Sequence, residues 1–213
     1  MDGLLIDSEP VWREAERAVF AELGVELTEE ELLGTTGMTI EEVIPPWRRR
    51  EPRRDGDAER LSDAEVADRI TDLVAERVRA EGEPMPGVME ALALMRRLGL
   101  RLAIASSSPS GMIDVVCERL GLTSIEVRCS AMEEERGKPA PDVFLTAARR
   151  LGMAPERCLA IEDSPSGVQA ARAAGMRCIA VPDPLLAGDP RYREADPVLA
   201  DLTELDERLL RTL

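Results

Sequence analysis

Apolar positions follow two different rhythms along this chain, and the change between them falls near residue 82. Before it, the spacing is helical. Val11, Ala15, Ala18, Val19 and Leu23 lie on one face, predicting a helix over 10–24. Three Ser/Thr residues each precede a Glu by three positions, namely Thr28/Glu31, Thr39/Glu42 and Ser62/Glu65. That pairing marks a helix start, because each side chain can satisfy the other's backbone amide. With no alternating stretch among them, 11–81 reads as a helical unit. Its middle, 45–56, is rich in Pro and Arg and reads as a loop whose arginines (48–50, 53–54) form a solvated face. A substrate role is the lesser reading of those arginines. Glu83-Pro84-Met85-Pro86-Gly87 is a hinge, and strand and helix alternate after it. A helix is predicted over 88–98, closed by Gly99. A buried strand over 100–105 follows, then Ser106, Ser107 and Ser108, and a helix from Pro109 to position 120. Further strands are expected at 125–129, 158–161 and 177–181, with an edge strand at 198–200 and a helix over 143–151. After Ile161 come Glu162 and Asp163, then Ser164 to cap a helix, Pro165 at its first turn, slim Gly167, and Gly175 to end it. Such alternation predicts an α/β fold with a doubly wound parallel sheet. The expected division is a core of 1–10 and 82–213 with an inserted helical domain of 11–81.

Composition narrows the chemistry. At 213 residues, 44% apolar and 32% charged, the chain is ordinary globular material, and no run approaches the roughly 18 apolar residues of a membrane span. No secretory leader is visible, and the expected setting is cytoplasmic. A formal charge of −15 disfavours nucleic acid or an anionic membrane as partner. An anionic substrate would then need a metal or a positioned cation. Cys117, Cys129, Cys158 and Cys178 form no CxxC and read as buried free thiols. The chain has no histidine, which removes Ser-His-Asp and Cys-His triads and His-ligated zinc. Of 27 basic residues only Lys138 is lysine. A compact ammonium retained in an arginine-biased chain suggests a site that a planar guanidinium does not fit, a chance surface lysine being the other reading.

Each predicted strand of the second part ends in chemistry. In open parallel sheets ligands bind at the carboxyl ends of strands. Ser106 ends the first strand, Lys138 sits in the loop after the second, and Glu162 and Asp163 end the third. Adjacent acids there are costly without a cation between them. Each feature alone has a plain explanation, a cap or a solvated acid. Together on one rim they suit a phosphate dianion beside Mg²⁺, which prefers carboxylate oxygen.

The set closely resembles the haloacid-dehalogenase-like phosphatases with a helical cap inserted after the first motif. Asp2-Gly3 and the following Leu4 to Glu9 resemble the first motif. Ser106 resembles the second, Lys138-Pro139-Ala140-Pro141 the third, and Glu162-Asp163-Ser164 the fourth. The resemblance implies that Asp2 is the general acid/base and a metal ligand through its carbonyl. It implies that Ser106, Ser107 and Lys138 hold the phosphoryl group, and that Asp163, supported by Glu162, binds Mg²⁺. The tail, Gly188 to Tyr192 with Ala195-Asp196 and Leu202 to Leu205, resembles the 2-deoxyglucose-6-phosphatase and hexitol-phosphatase branch. Mg²⁺-dependent hydrolysis of a small sugar phosphate through an aspartyl-phosphate is the implied activity, in a monomer. A departure follows: the nucleophilic Asp of this family lies two residues before Asp2, and neither it nor its strand is in the sequence. The expectation is therefore a first core strand missing through a mis-assigned start, and a chain inactive as written. After Gly34-Thr35-Thr36 stands Gly37 where β-phosphoglucomutase-like members carry Arg, which favours hydrolysis over mutase chemistry. Other readings are a dehalogenase, a non-catalytic phosphate or metal binder, and a phospho-receiver domain; motif order and the helical insertion argue against the last.

Overall fold

The computed structural model describes residues 1–35, 38–52, 61–184 and 186–213. The chain divides into two compact units, Met1–Asp7 with Glu83–Leu213, and Ser8–Gly82.

The helical unit holds α1 (Glu9–Glu22), α2 (Glu29–Leu33), α3 (Ile40–Arg48) and α4 (Asp63–Glu81). All three Ser/Thr–Glu pairs form. Glu31 accepts from the Thr28 amide at 2.8 Å, Glu42 from Thr39 at 2.9 Å and Glu65 from Ser62 at 2.7 Å. Inside the unit, α4 packs against α1 and α3, and Val19 and Phe20 of α1, Ile44 and Trp47 of α3, and Val66, Ile70, Val74 and Val78 of α4 are all buried. One expectation fails here. Pro45 and Pro46 lie inside α3 rather than opening a loop. Internal proline costs roughly 3 kcal/mol through a lost amide and a ring clash. Ile44 and Trp47 offset that cost by burial, and the Trp47 ring meets Phe20 edge-on at 5.2 Å. The expected contribution of Arg53 and Arg54 to a solvated face, and the reading of Gly37 as favouring hydrolysis over mutase chemistry, concern positions outside the described residues.

The second unit is α/β. It holds α5 (Val88–Arg97), β1 (Leu102–Ser106), α6 (Ser110–Arg119), β2 (Ile125–Ser130), α7 (Asp142–Arg150), β3 (Leu159–Glu162), α8 (Pro165–Ala173), β4 (Arg177–Ala180) and α9 (Glu207–Thr212). β1 pairs in parallel with β2, ending at Ser106 opposite Ser130, and β3 pairs in parallel with β4. The expected edge strand at 198–200 is reduced to one parallel bridge between Ala180 and Val198. Apolar layers cover both faces of the sheet. Ala160 belongs to a cluster with Val143, Phe144, Val168 and Ala171, whereas its neighbours Leu159 and Ile161 pack toward Leu4, Val88 and Ala91. Period-two alternation with both faces buried is what a parallel sheet between helices requires. Among the described residues the two strand pairs are not joined into one sheet. Nor is any described helix long and apolar enough to cross a membrane.

Candidate active site

The carboxyl ends of β1 and β3 meet at one side chain. Lys138 Nζ donates to the carbonyl of Ala105 at 3.1 Å, forms an ion pair with Glu162, and lies 5.0 Å over the Phe144 ring. Lys138 and Glu162 side chains are 7% and 5% exposed. At that depth each charge depends on the other, because an unpaired buried ion costs several kcal/mol. Burial alone would raise the Glu162 carboxyl, but the Lys138 ammonium, helped by the Ser164 hydroxyl, holds it below its ordinary range. Ser164 also caps α8, its oxygen accepting from the Gly167 amide at 3.0 Å. Gly167 is more than slim: a Cβ there would sit no farther than 2.6 Å from all three atoms of the Glu162 carboxylate.

Asp163 behaves differently. Burial first, then the neighbouring Glu162, lift its carboxyl to about 6 against the pull of Lys138. Among the described residues no cation pairs with it. Gly3, at φ 67°, leaves room directly in front of this group, since a Cβ there would stand 2.8 Å from Asp163 Oδ2. The loop is pinned from behind by Tyr192, whose hydroxyl donates to the Asp163 carbonyl.

Asp2 completes the rim. Its Oδ2 accepts from the Ser108 hydroxyl. Ser106 Oγ donates to Ser108 Oγ at 3.0 Å and accepts from the Ser108 amide at 3.2 Å, so its hydroxyl is engaged within the serine loop. Ser130, 1% exposed at the end of β2, donates to the Ser108 carbonyl at 2.7 Å. Ser107 lies half-buried in the same loop. Helix α6 starts only at Ser110, so the serines form a turn ahead of the helix instead of its first residues. The rim thus gathers Asp2, Ser106, Lys138, Glu162 and Asp163, while Ser108, Ser130 and Tyr192 were not singled out as site residues by sequence reasoning. No local pattern marks them: their partners are contributed by distant segments.

The donor set suits a hard cation. Asp163 is a carboxylate in want of a positive partner, and Asp2 offers further oxygen nearby. Glu162, in contrast, is committed to Lys138 in this structure. Among the described residues no three acidic, His or Cys side chains gather in one place. The thiols take no part: Cys117, Cys129, Cys158 and Cys178 are free, and burial raises each, Cys178 to about 12.

A parallel sheet with a lysine, a serine loop and paired acids on one rim is the arrangement of a known hydrolase class. The family model described as haloacid dehalogenase-like hydrolase matches residues 1–175, and the chain belongs to that family. It is 41% identical over 207 residues to hexitol phosphatase B of Escherichia coli (strain K12), covering 96% of this chain and 91% of that protein. Among solved structures it is similar to CbbY from Rhodobacter sphaeroides in complex with phosphate, with a TM-score of 0.82 and 31% identity over 96% of this chain and 93% of the other. A β-phosphoglucomutase from Clostridium difficile has the same fold at a TM-score of 0.80, with 18% identity over 99% and 92% of the two chains.

Proposed function

We propose that this protein is a phosphomonoesterase acting on small sugar phosphates, hexose or hexitol phosphates, as a cytoplasmic monomer. The observation that carries the reading is the convergence of Asp2, Lys138 and Asp163 at the carboxyl ends of β1 and β3. The kinship with hexitol phosphatase B supports the substrate class. In this reading Mg²⁺ held by Asp163 and Asp2 would neutralise phosphoryl oxygens. Lys138 places a second positive charge beside the phosphoryl group while keeping Glu162 ionised. Ser106 and Ser107 line the same loop and would donate hydrogen bonds to phosphoryl oxygens once substrate displaces the internal contacts.

Asp2 serves as general acid and base. Ser108 fixes its Oδ2, and the carboxyl would protonate the departing sugar oxygen and later take a proton from water. The attacking carboxylate is not Asp2, whose position is set by that contact; it would come from the amino side of Met1. Attack on phosphorus breaks the bond to the sugar oxygen and gives an aspartyl-phosphate, which water then hydrolyses to free phosphate. The test is phosphate release from a panel of hexitol 6-phosphates, hexose 6-phosphates and β-hexose 1-phosphates, using the chain extended by an apolar strand ending in Asp. Release from the first two classes is expected. Conversion of a 1-phosphate to a 6-phosphate without net release would replace this reading with the mutase.

A further inference from the structure

Asp163 stands between two anchored neighbours. Before it, the Glu162 carbonyl accepts from the Val181 amide at 2.7 Å, and the Glu162 carboxylate is paired with Lys138. After it, Ser164 caps α8. The Asp163 backbone is held through its carbonyl by the Tyr192 hydroxyl, and no other described donor reaches that oxygen. Tyr192 is the only tyrosine of the chain and the one buried residue of a short 3₁₀ turn, Pro190–Glu194. That turn is braced on three sides. The Asp189 carboxylate accepts from the Arg191 amide at 2.9 Å and pairs with the Arg191 guanidinium at 2.6 Å. On α8, against which the turn packs, Gln169 donates to Glu194 at 3.3 Å. Just beyond the turn, Asp196 accepts from the Cys178 amide at 2.7 Å and pairs with Arg172 at 2.9 Å, which ties the segment to β4 and α8. The braces hold one buried ring whose hydroxyl ends on one carbonyl.

We propose that Tyr192 is a positioning residue for the cation: its hydroxyl fixes the Asp163 peptide, so that the carboxylate stays on the Gly3 side of the rim and the carbonyl stays committed behind it. The proposal rests on the phosphatase reading in taking Mg²⁺ as the ligand of Asp163. A carboxylate on a loose peptide must be ordered when the ion binds, and that ordering costs conformational entropy. A peptide already fixed by Tyr192 avoids the cost. Groups that orient a metal ligand from behind change metal affinity by about 10- to 100-fold when they are removed. Coupling of this kind is reciprocal. Mg²⁺ at Asp163 should therefore steady the turn at Pro190–Glu194, some 30 residues away in sequence but one hydrogen bond away in space. Replacing the hydroxyl by hydrogen leaves the ring, its burial and all the braces in place, so a loss of Mg²⁺ affinity from that change reports on position and not on packing.

The experiment compares the 213-residue chain with Tyr192→Phe and with Arg172→Met. The second variant removes a tie that holds the same segment but touches neither Tyr192 nor Asp163. Melting temperature is followed as MgCl₂ is raised at constant ionic strength, which gives an apparent dissociation constant without any catalysis. Amide hydrogen exchange at 191–194 is measured with and without Mg²⁺. Tyr192→Phe should raise the dissociation constant about tenfold or more while lowering the metal-free melting temperature by only a few degrees. Mg²⁺ should slow exchange at 191–194 in the unaltered chain and not in Tyr192→Phe. Arg172→Met should cost a similar few degrees and keep the Mg²⁺ constant of the unaltered chain. Equal Mg²⁺ constants for Tyr192→Phe and the unaltered chain, or equal weakening in both variants, would overturn the proposal and leave the phosphatase reading standing. Absence of any Mg²⁺-dependent shift in the unaltered chain would remove the cation site itself, and the proposal with it.

Discussion

Replacing Gly167 with Ala should destabilise the protein, although Ala is the better helix former. The added Cβ falls within 2.6 Å of all three atoms of the Glu162 carboxylate. That carboxylate is buried and tied on one side to Lys138 and on the other to Ser164. It has no open direction in which to move without loosening one of those bonds. Overpacking of this kind costs about 1–3 kcal/mol, and fully breaking a buried ion pair about 3–5. Helix propensity returns at most about 1 kcal/mol. A net loss of about 2–4 kcal/mol follows, which for a chain of this size lowers the melting temperature by roughly 5–15 °C. Gly111 is the internal control. It too lies in the first turn of a helix, α6, and a Cβ there would meet nothing within 4 Å. Gly111→Ala should therefore be neutral or stabilising by a few tenths of a kcal/mol up to about 1. The two variants are to be melted side by side by circular dichroism. Equal shifts would refute the claim that contact with Glu162, and not backbone entropy, fixes glycine at 167.

Lys138→Arg should lower phosphatase turnover at least about a hundredfold, because a planar guanidinium cannot reach Ala105, Glu162 and a phosphoryl group from one point; steady-state kinetics at wild-type rates would contradict this. Mg²⁺ should raise the melting temperature of the unaltered chain and have no such effect on Asp163→Asn, measured by scanning calorimetry; an equal shift in both would remove Asp163 from the cation site. Glu16, buried in α1, is raised to about 8 by burial first and Glu9 second, partly opposed by Arg13, from an ordinary 4.5. The folded state then holds a proton that the unfolded state loses, so stability of the helical unit is full below about 4.5 and falls as pH rises toward 8. At about 1.36 kcal/mol per unit the ceiling is near 5 kcal/mol, with about 2–3 expected after relaxation. Glu16→Gln should flatten the pH dependence of urea denaturation between those values, and an unchanged slope would count against it.

Local signals in the sequence were enough for the capped helix starts and the strand ends, but not for α9 (Glu207–Thr212), which no expectation covered. Thr28/Glu31, Thr39/Glu42 and Ser62/Glu65 are contacts between residues three apart, and each forms. The rim of Lys138, Glu162 and Asp163 was legible because chemistry at strand ends is brought together by the parallel topology itself. What escaped depends on tertiary partners. Pro45 and Pro46 read as a loop until Trp47 finds Phe20. Ser108 meets Asp2 across 106 positions and Tyr192 meets Asp163 across 29, separations that no periodicity encodes. Glu162 reads as a metal-type acid from its neighbour Asp163, yet its carboxylate is taken up by the lysine 24 residues earlier.

The most direct test of the catalytic account uses two extended chains that differ at one atom position. Both carry the apolar five-residue strand before Met1, ending in Asp in one and Asn in the other. Each is incubated with a hexitol phosphate and Mg²⁺, and inorganic phosphate is measured. The account predicts release by the Asp version alone, with similar melting temperatures for the pair. Release at equal rates by the Asn version would contradict it, because the attacking carboxylate would then have to lie elsewhere in the chain.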